Sequence, residues 1–421
     1  MLAQRSWRLF LLFVTAALLA GCTASQGPEG PVGPAGPAGP TGPQGPAGDP
    51  AMASQTYIGS DQCGSCHEAL YETFLHSGHP HDLISIENGQ PPTYPYDDLT
   101  GGVQDPPEGL TWNDISYVIG GFGWKALFVD QDGFVITGEG NEATQYNFAN
   151  EELDTDAGWI PYHTGEELPF DCGRCHTTGY NPDGHQDGLE GIIGTWAFAG
   201  VHCEECHGPG SRHAEDPYGV QMVVDRGSQL CGRCHTRDNP AHIEAINGFI
   251  DQNEQFDELF NSKHFALSCV TCHDPHASAV FEEPEINPER GRRQVCEACH
   301  WQQEFQNNQK HLGVDCIDCH MPPMGKSAVA DLNLFTGDIS SHLYSINPDP
   351  EAEQFNEDGT FSEPFITLEY ACMHCHNGGQ ATVKDLDTLS EMASGYHTRP
   401  TPTPEPTPTA ETVSTPTPES S

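Results

Sequence analysis

Eight copies of C-x-x-C-H run through the 421-residue chain, and they use sixteen of its 17 cysteines. They are Cys63/Cys66/His67, Cys172/Cys175/His176, Cys203/Cys206/His207, Cys231/Cys234/His235, Cys269/Cys272/His273, Cys296/Cys299/His300, Cys316/Cys319/His320 and Cys372/Cys375/His376. A disulfide framework would show varied spacings, and a redox dithiol needs one motif, not eight. A four-cysteine zinc site needs no histidine after every second cysteine. Covalent haem explains every letter. Two thiols add across the two haem vinyl groups, and the next histidine reaches the iron from the same side, because five residues make little more than one helical turn. The expected cofactor is eight haem c groups, with His67, His176, His207, His235, His273, His300, His320 and His376 as proximal ligands.

Each haem that only transfers electrons wants a second strong ligand, usually imidazole. Fourteen of the 22 histidines lie outside the proximal positions. Eight sit in favourable contexts: His79, His163, His185, His213, His264, His276, His311 and His342. His276 follows proximal His273 by three residues, cannot reach round its own haem, and is expected to ligate a neighbour's. His76 rivals His79, while His81, His242 and His397 are reserves; His202 and His374 are badly placed beside or inside motifs. Met321 and Met324 are read as packing residues.

The segments that carry these residues differ in kind. Residues 1–21 read as a signal peptide, with a cationic start, an apolar run too short to span, and "LAGC" ending at Cys22. That ending resembles a lipoprotein lipobox, which makes Cys22 a lipidated first residue and places the protein outside the cytoplasm, at a cell surface or in a periplasm. An ordinary signal peptide is the alternative. Residues 22–53 carry eight G-x-y triplets, read as an extended spacer of about 75 Å at roughly 3.1 Å per residue; a triple helix, making a trimer, is the other reading. Residues 399–421 form a Thr/Pro-rich tail that cannot bury a core.

Residues 54–398 are left to hold eight haems, too little protein for a large apolar core. The expectation is a mainly α chain with long loops around a haem-filled core. The exception is a small β-hairpin insert at about 101–150, where "ISYVIGGFGWKALFVDQDGFVITG" is rich in β-branched and aromatic residues around Asp130–Gly133. The net charge of 16 − 61 = −45 argues against nucleic acid and for solubility, cationic partners or metal ions.

"CIDCHMP" with a later "SSH", "CHGPGSRH" and "CHDPH" resemble the multihaem bis-histidine c-type cytochromes, the group of hydroxylamine oxidoreductase, pentahaem nitrite reductase and their tetrahaem acceptors. The resemblance implies a mostly helical fold with closely packed haem pairs. No motif here has the C-x-x-C-K of the nitrite reductases. The function expected is electron transfer at the cell surface, to other cytochromes or extracellular oxidants, with eight histidines available so that no open haem is required. The alternatives are reduction or oxidation of small nitrogen or sulfur compounds at one open haem, and a subunit of a conductive filament.

Overall fold

The computed structural model describes residues 55–397 apart from 97–101, 104, 238, 284 and 287. The signal peptide, Cys22, the Gly-Pro spacer and the Thr/Pro tail lie outside these residues. No helix among the described residues is long and apolar enough to cross a membrane.

Among the described residues eleven short helices punctuate the chain: α1 (Ser60–Gly64), α2 (Glu68–Leu75), α3 (Gly173–His176), α4 (Cys203–His207), α5 (Ser211–Glu215), α6 (Ser228–Cys231), α7 (Gln255–Asn261), α8 (Cys269–Cys272), α9 (Glu297–Lys310), α10 (Cys316–His320) and α11 (Leu386–Ala393). Most are single turns built on a C-x-x-C-H motif. In every motif the histidine amide hydrogen-bonds the carbonyl of the first cysteine where that bond is outside a regular helix, as in His67 to Cys63 at 2.9 Å. One turn is all the attachment needs, so nothing in the motif forces the helix to continue. Helix accounts for only 24% of the chain. The expected mainly α class therefore gives way to a mixed fold of short helices, loops and sheets.

The β-rich part is larger than a hairpin. Seven strands form one sheet: β1 (Leu83–Ser85), β2 (Ile115–Gly120), β3 (Lys125–Asp130), β4 (Phe134–Val135), β5 (Gln145–Asn147), β6 (Gly158–Ile160) and β7 (Leu168–Pro169). All pairings are antiparallel, with Val118 opposite Phe128 and Ile119 opposite Leu127. The Asp130–Gly133 turn does link two paired strands: the Asp130 carboxylate accepts from the amides of Asp132 and Phe134. Both faces of the central strands are buried. Val118, Ala126 and Phe128 face one core with Tyr146 and Phe148. Tyr117, Ile119, Leu127 and Val129 face the other with Phe170, Ile192 and Trp196. That two-sided burial is why β2 and β3 read as continuous apolar runs rather than alternating ones.

A two-stranded pair, β8 (Thr177–Thr178) and β9 (Phe198–Ala199), follows the second motif. A second sheet joins β10 (Ile243–Ile246), β11 (Phe249–Asp251), β12 (Gly325–Lys326) and β13 (Phe361–Ser362) in the order β12-β11-β10-β13. Its core packs Ile243, Phe249, Ile250, Met324, Leu343 and Ile366. Met324 is fully buried there, in a packing role. Between these apolar clusters lies one continuous cavity of about 3080 Å³, lined by residues of the first seven motifs.

Candidate haem sites and the unpaired second motif

Two imidazoles on opposite faces of one metal ion, each bonded at about 2 Å, place their ring centroids about 6.3 Å apart. Seven proximal histidines face another histidine at this spacing. His67 faces His213 at 6.3 Å, His235 faces His79 at 6.4 Å, and His207 faces His276 at 6.3 Å. His300 faces His264 at 5.9 Å, His273 faces His342 at 6.0 Å, and His376 faces His311 at 6.3 Å. His320 faces His397 at 5.8 Å. Every pair joins a motif to a histidine outside it, so each site ties separate stretches of chain together.

The hydrogen bonds behind the rings suit metal ligation. An imidazole that donates from Nδ1 presents Nε2 to the metal. His207 donates to the Val223 carbonyl at 2.7 Å, His213 to Val220 at 2.6 Å, His320 to Tyr344 at 2.7 Å and His376 to Thr382 at 2.9 Å. His276 Nδ1 bonds Asp274, itself held by Arg293. His264 and His342 have buried Nδ1 atoms with no partner. Burial lowers the basicity of His79, His264 and His273 and takes His342 down to about 3, which keeps these rings in the neutral form a metal requires. Paired imidazoles, Nδ1 donors and a shared cavity fit bound haem.

Six of the eight expected distal histidines stand in such pairs; His163 and His185 do not. His163 is exposed, in left-handed backbone, and bonded through Nδ1 to Glu166 at 3.1 Å. His185 is exposed and bonds the Ile192 carbonyl at 2.7 Å. Both belong to loops of the β-rich part; His163 lines the cavity beside Tyr162 without a paired imidazole, and His185 lies outside the cavity lining. His397, a reserve in the sequence, stands opposite His320 instead. No phrase around it marks it; α11, N-capped by Asp385 through the Thr388 amide, carries the chain back to that motif. The other histidines have different partners: His76 pairs with Glu283 at 2.8 Å, His202 with Ser60, His374 with the Tyr370 carbonyl, and His81 stacks on Phe122.

All 22 histidines lie among the described residues. Although His163 lines the same cavity as His176, no ring contact of the kind seen at the seven pairs joins any of them to His176. Its Nδ1 nevertheless bonds the Asp82 carbonyl at 3.0 Å, the same arrangement as at the paired sites. Near this motif the β-rich part brings different chemistry. Lys125 opens β3 after the turn Gly120–Trp124, where Gly120 and Gly121 both take positive φ and a side chain at Gly121 would strike Tyr94. Lys125 Nζ donates to the Ser327 carbonyl at 2.8 Å, and neighbouring Trp124 Nε1 donates to the Asp338 carbonyl at 2.9 Å. Burial is the main reason its ammonium is brought down to about 8; Arg237 and Lys326 push the same way against Asp338 and Asp251. Arg237 is held by Asp251 at 3.0 Å and the Gln252 carbonyl. Tyr162 is raised by burial first, then by Cys172, and lowered by Arg237. Arg237 also acts on Cys172. Arg237 and Tyr162 thus lie near Cys172 of the second motif, and Lys125 lies within electrostatic reach of Arg237, in a chain of strongly acidic charge. Sequence reading missed all three, since a lone cation at the head of an apolar strand carries no motif.

Contacts between cysteines order the sites. Cys63 meets Cys203, Cys206 acts on Cys231, and Cys231 hydrogen-bonds Cys269. Cys272 lies near Cys296, Cys296 near Cys316, and Cys319 near Cys372. The second motif joins from the side, through a Cys175–Cys234 hydrogen bond. The cysteine contacts thus run first, third, fourth, fifth, sixth, seventh, eighth, with the second motif touching the fourth.

Residues 143–208, spanning the second and third motifs, match the family model of cytochrome c554 and c-prime. The fold is similar to that of the octahaem sulfite reductase MccA of Wolinella succinogenes, with a TM-score of 0.55 and 18% identity over 81% of this chain and 71% of that one. It is also similar to the outer cell wall cytochrome OcwA, with a TM-score of 0.50 and 18% identity over 80% of this chain and 86% of that one. No curated protein matches the chain by sequence. Motifs, family match and shared fold define the class: the chain is a multihaem c-type cytochrome.

Proposed function

We propose that the protein is an octahaem cytochrome in which seven bis-imidazole sites pass electrons to an eighth site, open at its distal face, where a small anion reacts. The observation that carries this reading is His176, the one proximal histidine that no ring contact joins to a second imidazole among the described residues. Cys63, Cys172, Cys203, Cys231, Cys269, Cys296, Cys316 and Cys372, with their motif partners, hold the eight groups. When bound, haem supplies an iron that cycles between ferric and ferrous states, and two imidazoles make that cycling cheap because the ligand set does not change. At the second site Lys125 and Arg237 attract and orient an anion, and the Tyr162 hydroxyl is available as a hydrogen-bond donor. Sulfur and nitrogen oxyanions are the substrate class this chemistry fits, and MccA acts on one of them.

Export and lipidation at Cys22, as the N-terminal residues imply, would set this reaction outside the cytoplasm, with other redox proteins as electron partners. The likeness to an outer cell wall cytochrome supports that setting. The test is the ferric protein's electron paramagnetic resonance spectrum, with haem counted by mass. One high-spin centre among eight haems, converted by sulfite or nitrite, is expected. Eight low-spin centres that ignore both anions would leave a pure electron carrier.

A further inference from the structure

Three carboxylates sit on one short stretch with no access to water. Glu254 and Asp257 are 0% exposed and Glu258 is 2% exposed. All three belong to α7 or its N-cap, and α7 lies against two haem sites. On one side the Phe256 amide bonds the His235 carbonyl at 3.0 Å, and Gln255 Oε1 meets His235 Nδ1 at 3.3 Å. On the other side Glu258 accepts from Ser341 Oγ at 2.6 Å and from the His342 amide at 2.5 Å.

The three carboxylates are not equivalent. Asp257 is fully used: it accepts from Thr236 Oγ1 at 2.9 Å and from the Arg237 amide at 3.2 Å. Glu258 has the two donors just named. Neither oxygen of Glu254 makes a well-formed hydrogen bond, and the Asp257 carboxyl and the Glu244 main chain are the groups nearest to hydrogen-bonding range. The groups that act on Glu254 are the carboxyls of Asp257 and Glu244 and the Glu244 main chain, and none is cationic. The nearest arginine in the sequence around this cluster, Arg237, is turned to Asp251. A buried carboxylate that faces another carboxyl and no cation is unfavourable by several kcal/mol in order of magnitude, and holding a proton is the way to remove that cost.

We infer that Glu254 and Asp257 form a proton-holding pair beside the fourth haem site, and that Glu254 binds a proton when the His235–His79 site gains an electron. The charges balance. One electron comes from a one-electron donor by way of the neighbouring sites, one proton comes from solvent, and the buried region keeps its net charge. Glu254 is separated from His235 by Gln255 and α7, so it acts through space and not as a ligand. Placement matters because the fourth motif is the one the second touches. A proton taken up there keeps the cost of electron arrival low at that contact. The inference is independent of whether the second site is open.

The pH range follows from the sign. Burial first, then the Asp257 carboxyl, pushes Glu254 up to about 9 in the chain alone. A ferric centre carries one more positive charge than a ferrous one and lowers that value. The potential of the fourth site should therefore fall as pH rises towards about 9, by as much as about 59 mV per pH unit for one proton per electron.

The experiment is a spectroscopic redox titration of the haem-loaded protein from neutral pH to about 9. His79→Met, which raises the potential of its own site, identifies the component. Wild type and Glu254→Asp should show the pH slope, and Glu254→Gln should be flat. Proton uptake on reduction, measured with an indicator dye on wild-type protein, provides a second readout that needs no variant. An equal slope in Glu254→Gln, or no proton uptake by wild type at that component, would overturn the inference.

Discussion

The second and third motifs lie side by side in the chain and end in opposite situations. At the third, His207 faces His276 with ring planes only 2° apart, and the histidine comes from a loop after the fifth motif. At the second, His176 has the same proximal support, from the Asp82 carbonyl just before β1, and stands in no such ring pair. Loops between motifs can bring an imidazole to almost any haem face, because few other contacts constrain them. A sheet is more constrained: β2 and β3 are held by cores on both faces, and Lys125 stands at the head of β3. On the function proposed above, a single inserted sheet is enough to set one site in the series apart from the other seven.

Removing a distal imidazole from a paired site should break the contrast most directly. His264→Ala leaves His300 unpaired, and the ferric spectrum should gain a second high-spin centre while the first is unchanged. His264→Met keeps six-coordination and should raise one potential, leaving the rest nearly unaltered, because thioether favours ferrous iron. A redox titration unchanged by either substitution would remove His264 from the ligand set.

Core damage should separate the two regions next. Phe128 is fully buried in the sheet, and Phe128→Ala should cost about 3–5 kcal/mol. Hydrogen exchange should rise across β2 and β3, and anion binding at the second site should weaken, while the low-spin spectrum of the seven paired sites stays intact.

Charge should act more gently. Lys125 is cationic below about 8 and neutral above it. Anion affinity at the second site should therefore drop as pH rises through that value, by about tenfold for 1.4 kcal/mol of lost attraction. Lys125→Met should bind weakly at every pH and lose the step; equal pH profiles would exclude Lys125 from the pocket's electrostatics. On the outer surface, a cationic acceptor should oxidise the reduced protein faster at low salt than at high, and an anionic acceptor the reverse. The gain is bounded by the roughly 10–10³-fold range of electrostatic steering, and stopped-flow traces across a salt series measure it.

The smallest effect lies among the paired sites themselves. Ring planes are near parallel at His67–His213 and His207–His276 and near perpendicular at His79–His235, His264–His300 and His311–His376. Paramagnetic resonance of the ferric protein should resolve two low-spin classes in that division; one uniform low-spin signal would contradict it.

The eight attachment points were legible residue by residue, because C-x-x-C-H is a local device whose geometry closes within one helical turn. Six distal candidates were legible from phrases such as "CHDPH" and "FNSKH". Their pairing was not: His276 serves the site of His207, and His397 the site of His320, through contacts between distant stretches that no spacing encodes. The apolar runs at Ile115–Gly120 and Lys125–Asp130 announced strands, yet the extent of the sheet depended on β1, β5, β6 and β7, each two or three residues long and too short to carry a period. What the chain determined by itself was local: which residues carry the attachment motif, and on which side of it the motif histidine stands. What only the tertiary structure decided was the opposite face of each site, because a distal ligand or a cationic pocket is assembled across hundreds of residues by packing, not by spacing.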